Sequence, residues 1–139
     1  MSGNFFLDTN LLVYAMDPSD SDKQAVALKW LATAHETGNG IVSYQVVQEW
    51  FNVVLRKAAN PLSLEVAAAT YGKLIQPLWR IQSSRELLST AIELHQHNHI
   101  SWWDSLIVGA AIQADCTRII TEDLEDGSVI RNVKIQNPF

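Results

Sequence analysis

The sequence predicts an α/β domain in which a short parallel β-sheet is flanked by α-helices. Short apolar segments alternate with longer segments whose apolar residues recur at helical spacing, and turn residues separate the two kinds. Such alternation is typical of a parallel sheet with helices on its faces. No linker, repeat or low-complexity tract interrupts the chain, so we expect a single domain over residues 1–139.

The first part of the chain predicts one strand and two helices. Phe5–Leu7 is a short apolar strand, and Leu11–Met16 is a short helix. Ser21 or Asp22 is expected to cap a second helix, because both side chains accept hydrogen bonds from free N–H groups of a first helical turn. The glycine-containing turn at 37–40 ends that helix.

The middle of the chain predicts two strands and two helices. Residues 41–43 form a strand, and a helix with apolar residues at regular spacing follows over about 44–59. Pro61 ends it, since the residue before a proline disfavours helical backbone. A further helix is expected over 64–74 and a short strand over 78–81.

The last part predicts two helices and two strands. The segment 83–86 has the spacing of a capping box and begins a helix that extends to about residue 97. A second, strongly apolar helix is expected over 101–115. Strands are expected over 118–121 and 133–135, and an acidic turn over 122–127 follows the first of them.

Composition restricts the class of protein. Hydrophobic residues make up 47 % of the chain, which is typical of a globular protein, and the apolar runs are too short to span a membrane. The single cysteine excludes an internal disulfide and a cysteine-rich zinc site. We therefore expect a cytoplasmic protein that is not bound to a membrane.

The net charge of −5 argues against binding nucleic acid through a broad basic face. It does not exclude an enzyme that acts on nucleic acid, because divalent cations reverse the charge of an acidic pocket.

Four acids occupy positions that a folded sheet would bring together. Asp8 and Asp123 each follow a predicted strand, Asp104 lies in a first helical turn, and Glu49 lies about a turn and a half into the helix after the second strand. In open α/β sheets, ligands bind outside the carboxyl ends of the strands. We expect all four carboxylates to converge at that edge.

Each acid also has a simpler interpretation. Asp8 could cap the first helix, and Asp104 could be the third residue of a capping box. Glu49 could belong to the exposed polar stripe of its helix, and Asp123 to an ordinary acidic loop. It is the combination that predicts a site.

Neighbouring buried carboxylates repel one another unless they are protonated or neutralised by a cation. Because the candidate ligands are all oxygens, the expected cation is a hard one, Mg²⁺ or Mn²⁺.

Residues that could contact RNA are few. Arg56 and Lys57 lie two helical turns beyond Glu49, where a solvated salt-bridging role is expected for each. Trp102 and Trp103 are of a type that stacks on unpaired bases, although packing or a partner interface is the expected use of at least one.

Four segments resemble, in order, the PIN domain and in particular the VapC-type ribonuclease toxins of type II toxin–antitoxin modules. They are FLDTNLLVYAMD at 6–17, IVSYQVVQEWFNV at 41–53, SWWDSLIVGAA at 101–111 and RIITEDLEDG at 118–127. The resemblance implies a PIN-like three-layer fold and a metal-dependent endoribonuclease that hydrolyses RNA phosphodiester bonds. It also implies a cognate antitoxin and a homodimer.

By the same resemblance, Asp8, Glu49 and Asp104 are the core acids of a Mg²⁺ or Mn²⁺ site. Asp123 corresponds to the more variable fourth acid, for which Glu122 and Asp126 are alternatives. The small polar residues that resemble the supporting set of the family are Thr9, Asn10, Ser43 and Thr121.

Other functions remain as alternatives. A PIN nuclease of RNA processing would need no antitoxin, and a non-catalytic RNA-binding protein would need no metal. A phospho-aspartate phosphatase or receiver domain would also carry an acid after its first strand. Here Asp8 is followed by Thr9-Asn10 and not by an acid two residues on, which disfavours that class.

Overall fold

The computed structural model describes residues 3–139, so the first two residues of the predicted domain lie outside the described residues. Six strands form a sheet of order β3-β2-β1-β4-β6-β5, and every pairing is parallel except that of β5 with β6. The strands are β1 (Phe5–Leu7), β2 (Gly40–Ser43), β3 (Trp79–Ile81), β4 (Arg118–Ile120), β5 (Val129–Ile130) and β6 (Val133–Gln136).

Six α-helices flank this sheet in the described part of the chain, which confirms the predicted α/β class. They are α1 (Thr9–Ala15), α2 (Ser21–Thr37), α3 (Tyr44–Asn52), α4 (Leu64–Thr70), α5 (Arg85–His97) and α6 (Trp102–Gln113). Two of them continue into wider π-helical turns: α3 through Val53–Lys57 and α4 through Tyr71–Ile75, the latter followed by the 3₁₀ turn Gln76–Leu78.

The first helix begins at Thr9 and not at Leu11 as predicted, and the predicted N-caps of two other helices also differ from the structure. The N-cap of α2 is Asp20, whose carboxylate accepts a hydrogen bond from the Lys23 N–H, and not Ser21 or Asp22. The N-cap of α5 is Ser84 and not the preceding serine. Both predictions were wrong by one position or two because several cap-type residues are adjacent, and only the backbone geometry selects among them.

The strand β5 was not predicted. It is two residues long and joins β6 through Arg131 and Asn132, whose φ angles are 47° and 68°. Two successive positive φ angles are typical of the tight turn of a hairpin. A strand of two residues is too short to show the alternation of apolar and polar residues by which strands are recognised in a sequence.

The centre of the sheet is the best buried part of the core. Phe6, Leu7, Ile119 and Ile120 on the paired strands β1 and β4 are fully buried. The ends of these strands are therefore held rigidly, and so are the residues that directly follow them. Within residues 3–139, none of the helices has the length and apolar character needed to cross a membrane.

Candidate active site

Three neighbouring parallel strands end in buried polar residues at the same edge of the sheet. Asp8 follows β1, Ser43 ends β2, and Thr121 follows β4, with exposed fractions of 5 %, 2 % and 0 %. Buried polar groups need hydrogen-bond partners, and here they find them largely in one another and in the first turns of the following helices. This edge forms the polar floor of the site.

Asp8 lies at the centre of this floor. Its Oδ1 accepts a hydrogen bond from the Thr9 N–H at 2.7 Å, and its Oδ2 accepts one from the Thr121 hydroxyl at 2.7 Å. The first bond makes Asp8 the N-cap of α1. The residue thus caps a helix and also presents a carboxylate at the end of a strand.

Burial raises the pKa of the Asp8 carboxyl to about 6, and the negative charges of Asp123 and Glu49 add to this effect. The two hydrogen bonds lower the pKa and so oppose the shift only in part. A carboxyl with this pKa gains from a nearby positive charge, because a cation would stabilise its ionised form.

Glu49 points from α3 towards the same region. Its Oε2 accepts a hydrogen bond from the Thr9 hydroxyl at 2.8 Å, and its Oε1 accepts one from the Gln45 amide at 2.8 Å. Gln45, Glu49 and Asn52, the polar stripe of the helix, line a cleft together. The polar stripe therefore faces a cleft and not only bulk solvent.

Asp104 lies in the first turn of α6, where the Ser101 hydroxyl accepts a hydrogen bond from the Asp104 N–H at 3.0 Å. Ser101 is the N-cap of that helix, as the S-x-x-D spacing predicts. Partial burial raises the pKa of the Asp104 carboxyl, and the charges of Asp123 and Glu49 contribute in the same direction. Asp8 and Asp104 thus interact electrostatically with the same two acids.

Three acids of the turn after β4, Glu122, Asp123 and Asp126, each have a different partner. Glu122 accepts hydrogen bonds from the Tyr14 hydroxyl and the Lys23 ammonium, at 2.6 and 2.9 Å. The Asp126 carboxylate accepts one from the backbone N–H of Asn137 at 2.9 Å.

Asp123 is the acid of this turn that lines the cleft. Its Oδ2 accepts a hydrogen bond from the Asn10 amide at 3.1 Å, and its own N–H donates to the Thr121 hydroxyl at 3.0 Å. Thr121 therefore binds both Asp8 and Asp123, which joins the first strand end to the acidic turn. Of the three alternatives that the sequence offers, the geometry favours Asp123.

The donor set suits a hard divalent cation. It consists of carboxylate oxygens, and the Asn10 side-chain oxygen is buried without a hydrogen-bond partner among residues 3–139. Over that range, no three or more His, Cys, Asp or Glu side chains are already arranged as a metal site. The fit to Mg²⁺ or Mn²⁺ therefore rests on the type of donor, which is oxygen throughout, and the side chains are oriented by hydrogen bonds to protein groups.

The acids adjoin an open cleft of about 780 Å³. Asp123 and Glu49 line it directly, whereas Asp8 is buried within the polar floor and Asp104 directly follows Trp103, which lines the cleft. The sequence did not point to Tyr14 or Gln48 as lining residues. Gln48 could have been found by helical spacing, since it lies three residues after Gln45 and four before Asn52, but the position of Tyr14 depends on how α1 packs.

An α/β sheet with acids gathered at its carboxyl edge defines a domain that binds its ligand where the strands end. The family model of the PIN domain matches residues 5–128, so the chain belongs to the PIN domain family. PIN domains are nucleases, and those of the family generally use divalent metals.

Solved structures of similar fold include a toxin–antitoxin complex, VapBC2 and a toxin. A toxin–antitoxin complex from Klebsiella pneumoniae is 18 % identical, with 98 % of each chain covered and a TM-score of 0.68. VapBC2 from Rickettsia felis, bound to a DNA fragment from its promoter, is 21 % identical, with 96 % of this chain and 97 % of that one covered and a TM-score of 0.64.

VapC20 from Mycobacterium tuberculosis, a toxin that cleaves the sarcin–ricin loop, is 17 % identical. The match covers 86 % of this chain and 90 % of that one, with a TM-score of 0.62. Comparison with curated proteins gave no match. At identities this low, the similarity shows a shared fold only.

Proposed function

We propose that this protein is a metal-dependent endoribonuclease and the toxin of a type II toxin–antitoxin module in the cytoplasm. The observation that carries the proposal is the group of acids at one cleft. Asp8 and Asp104 each have a pKa raised by burial and by the charges of Asp123 and Glu49. Membership of the PIN family and the fold shared with a toxin that cleaves the sarcin–ricin loop support it.

In this proposal Asp8, Asp104 and Asp123 hold one or two Mg²⁺ or Mn²⁺ ions. The bound metal would lower the pKa of a water molecule and stabilise the charge that develops on the phosphate. Glu49 binds metal or orients the attacking water, and the Thr9 hydroxyl fixes the direction of its carboxylate. No side-chain nucleophile is required.

Besides Thr9, three small polar residues keep the acids in position. Thr121 donates to Asp8, and Asn10 donates to Asp123. Ser43 caps α3 by accepting from the Val46 N–H, which fixes the start of the helix that carries Glu49. These residues act through the acids, so we expect their loss to weaken cleavage and not to abolish it.

The metal requirement gives the first test. Purified protein with Mg²⁺ or Mn²⁺ is expected to cut RNA internally, and chelation with EDTA is expected to reduce cleavage to the level of buffer alone. Added Mg²⁺ in excess of EDTA should restore it, because hydrolysis depends on the metal-activated water. Cleavage that persists in EDTA, measured on a 5′-labelled RNA, would rule out this mechanism.

The partners are tested separately. A cognate antitoxin is proposed because the similar structures include toxin–antitoxin complexes, and a homodimer is proposed from the resemblance to VapC-type toxins. If expression of the protein arrests growth, and co-expression of a neighbouring small open reading frame relieves the arrest, the assignment as a toxin is supported. A PIN nuclease of RNA processing would give no such relief. Size-exclusion chromatography with light scattering decides between monomer and dimer.

An acidic protein needs some positive charge near its RNA, and Lys57 supplies it. Lys57 lies eight residues after Glu49, which in a regular α-helix would leave it about 80° around the axis. The wider π turn at 53–57 rotates the chain less per residue. Lys57 therefore returns towards the face of Glu49 and lines the cleft, where the described lining includes no other Lys or Arg.

We expect Lys57→Ala to weaken binding of single-stranded RNA and to reduce the slope of log affinity against log salt by about 0.7, as expected for one lost phosphate contact. Arg56→Ala is the matched control, since it removes the same charge from the adjacent exposed position outside the cleft. Filter binding with catalytically inactive protein measures both. Equal slopes for the two variants would show that Lys57 does not contact the RNA in the cleft.

A further inference from the structure

A second, smaller pocket of about 120 Å³ adjoins the acidic cleft. Gln45, Gln48 and Trp103 line both cavities, so the two share one wall. Leu87 and Leu106 contribute an apolar surface to the small pocket. Its volume is far below the roughly 300–1,000 Å³ of sites for drug-sized ligands, and it suits a single planar ring system.

Aromatic side chains border this pocket. The Trp103 indole is 64 % exposed although it lies in the first turn of α6, directly before the candidate ligand Asp104. Tyr44 also lines the pocket, and its ring stacks on Trp79 at a centroid distance of 5.5 Å, which holds it in place. An exposed tryptophan beside a rigid aromatic surface is a platform on which a flat ligand can stack.

The rim of the pocket offers hydrogen-bonding groups. Gln48, Gln82 and Ser83 line the pocket and are exposed, so two side-chain amides and one hydroxyl are accessible to a ligand. Amide groups donate and accept together, as the edge of a nucleobase requires. The pocket therefore combines a stacking surface with groups that can read a base edge.

The small pocket is also coupled to the acids. The Gln45 amide donates to Glu49 at 2.8 Å and reaches the backbone carbonyl of Trp103 at 3.5 Å. Gln45 thus connects the backbone of Trp103 to the carboxylate of Glu49. A base held here would belong to a nucleotide next to the phosphate in the cleft.

We propose that this small pocket binds one unpaired nucleobase of the RNA, stacked on Trp103 and read at its edge by Gln48, Gln82 and Ser83. The proposal rests on the proposed ribonuclease function and specifies its substrate: single-stranded RNA or a loop whose base can turn out of the stack. A base inside a duplex could not enter, because pairing and stacking occupy it.

The test uses the full chain and three variants. Trp103→Ala is expected to lower kcat/KM for a single-stranded RNA about tenfold to a hundredfold, the factor that corresponds to one stacked base. Trp103→Phe should retain most of the activity, since the ring remains. Val129→Ala is the matched control: it removes an apolar side chain of 62 % exposure from the opposite edge of the sheet and should change nothing.

The complementary experiment changes the RNA and removes single bases. An abasic site is introduced at each position around the cut, and one position is expected to lower cleavage by wild type as strongly as Trp103→Ala does. At that position the variant should lose little more, because base and indole form the same contact. Trp103→Ala that cuts as fast as Val129→Ala, or wild type that tolerates an abasic site everywhere, would overturn the proposal.

A binding measurement separates this proposal from the ribonuclease function. The fluorescence difference between wild type and Trp103→Phe isolates Trp103 among the five tryptophans. If wild type cuts no RNA with Mg²⁺ or Mn²⁺, the proposed function fails, and the pocket is judged by quenching alone. Quenching of Trp103 by single-stranded RNA and not by its duplex supports the pocket, and no quenching by either contradicts it.

Discussion

Replacing Asp8 with Asn is expected to lower the rate of RNA cleavage at least about a hundredfold, since even residues that only orient a metal ligand cost 10–100-fold. The substitution keeps the shape of the side chain. An Asn oxygen can still accept from the Thr9 N–H, and its amide can donate to the Thr121 oxygen, so the N-cap is preserved. Only the charge that would bind the cation is lost.

Asp104→Asn is expected to have a similar effect, because Asp104 faces the same pair of acids. Glu125→Gln is the matched control: it changes the net charge by the same amount in the exposed acidic turn but outside the cleft lining. Initial rates on a labelled RNA with Mg²⁺ give the comparison. If Asp8→Asn cuts as fast as Glu125→Gln, the assignment of Asp8 is wrong.

Asp8→Asn is also expected to stabilise the metal-free protein at neutral pH. The folded-state pKa of Asp8, about 6, lies above its ordinary value of 3.8, so folded protein binds the proton more tightly than unfolded protein does. Asp8 therefore favours folding below about pH 4, and this contribution is lost as pH rises to about 6. The shift corresponds to about 3 kcal/mol of unfolding free energy.

Asn does not titrate, so Asp8→Asn should unfold at higher urea concentration than wild type at pH 7 and similarly at pH 4. Taking the difference between the two proteins removes the contributions of the other acids, which titrate in both. The measurement is urea unfolding in EDTA at a series of pH values. A difference that stays constant with pH, or that favours wild type at pH 7, would contradict the burial of an uncompensated charge at Asp8.

Five of the six strands in residues 3–139, and the positions of the first three candidate acids at strand or helix ends, could be proposed from the sequence because local patterns indicate them. Apolar residues before Asp8 indicate a buried strand, and a sheet in which β2, β1 and β4 are neighbours brings their ends together. The spacing from Ser101 to Asp104 identifies a helix start. These features depend on residues within a few positions of each other.

The choice of the fourth acid could not be made from the sequence, because its determinants are distant in the chain. Glu122 is held by Tyr14 and Lys23, about a hundred residues earlier, which leaves Asp123 to face the cleft. The π-helical turn that directs Lys57 towards the cleft has no recognisable sequence pattern either. Both follow from packing between elements, which helical or strand periodicity does not report.

The central claim is that acids from four separate segments together form one site for divalent cations. Isothermal titration of Mn²⁺ into metal-free protein tests it most directly, with Asp8→Asn, Asp104→Asn and Glu125→Gln alongside wild type. We predict that wild type and Glu125→Gln bind Mn²⁺ alike, and that each of the other two variants binds it at least about tenfold more weakly. Equal Mn²⁺ affinity in all four proteins would contradict the claim.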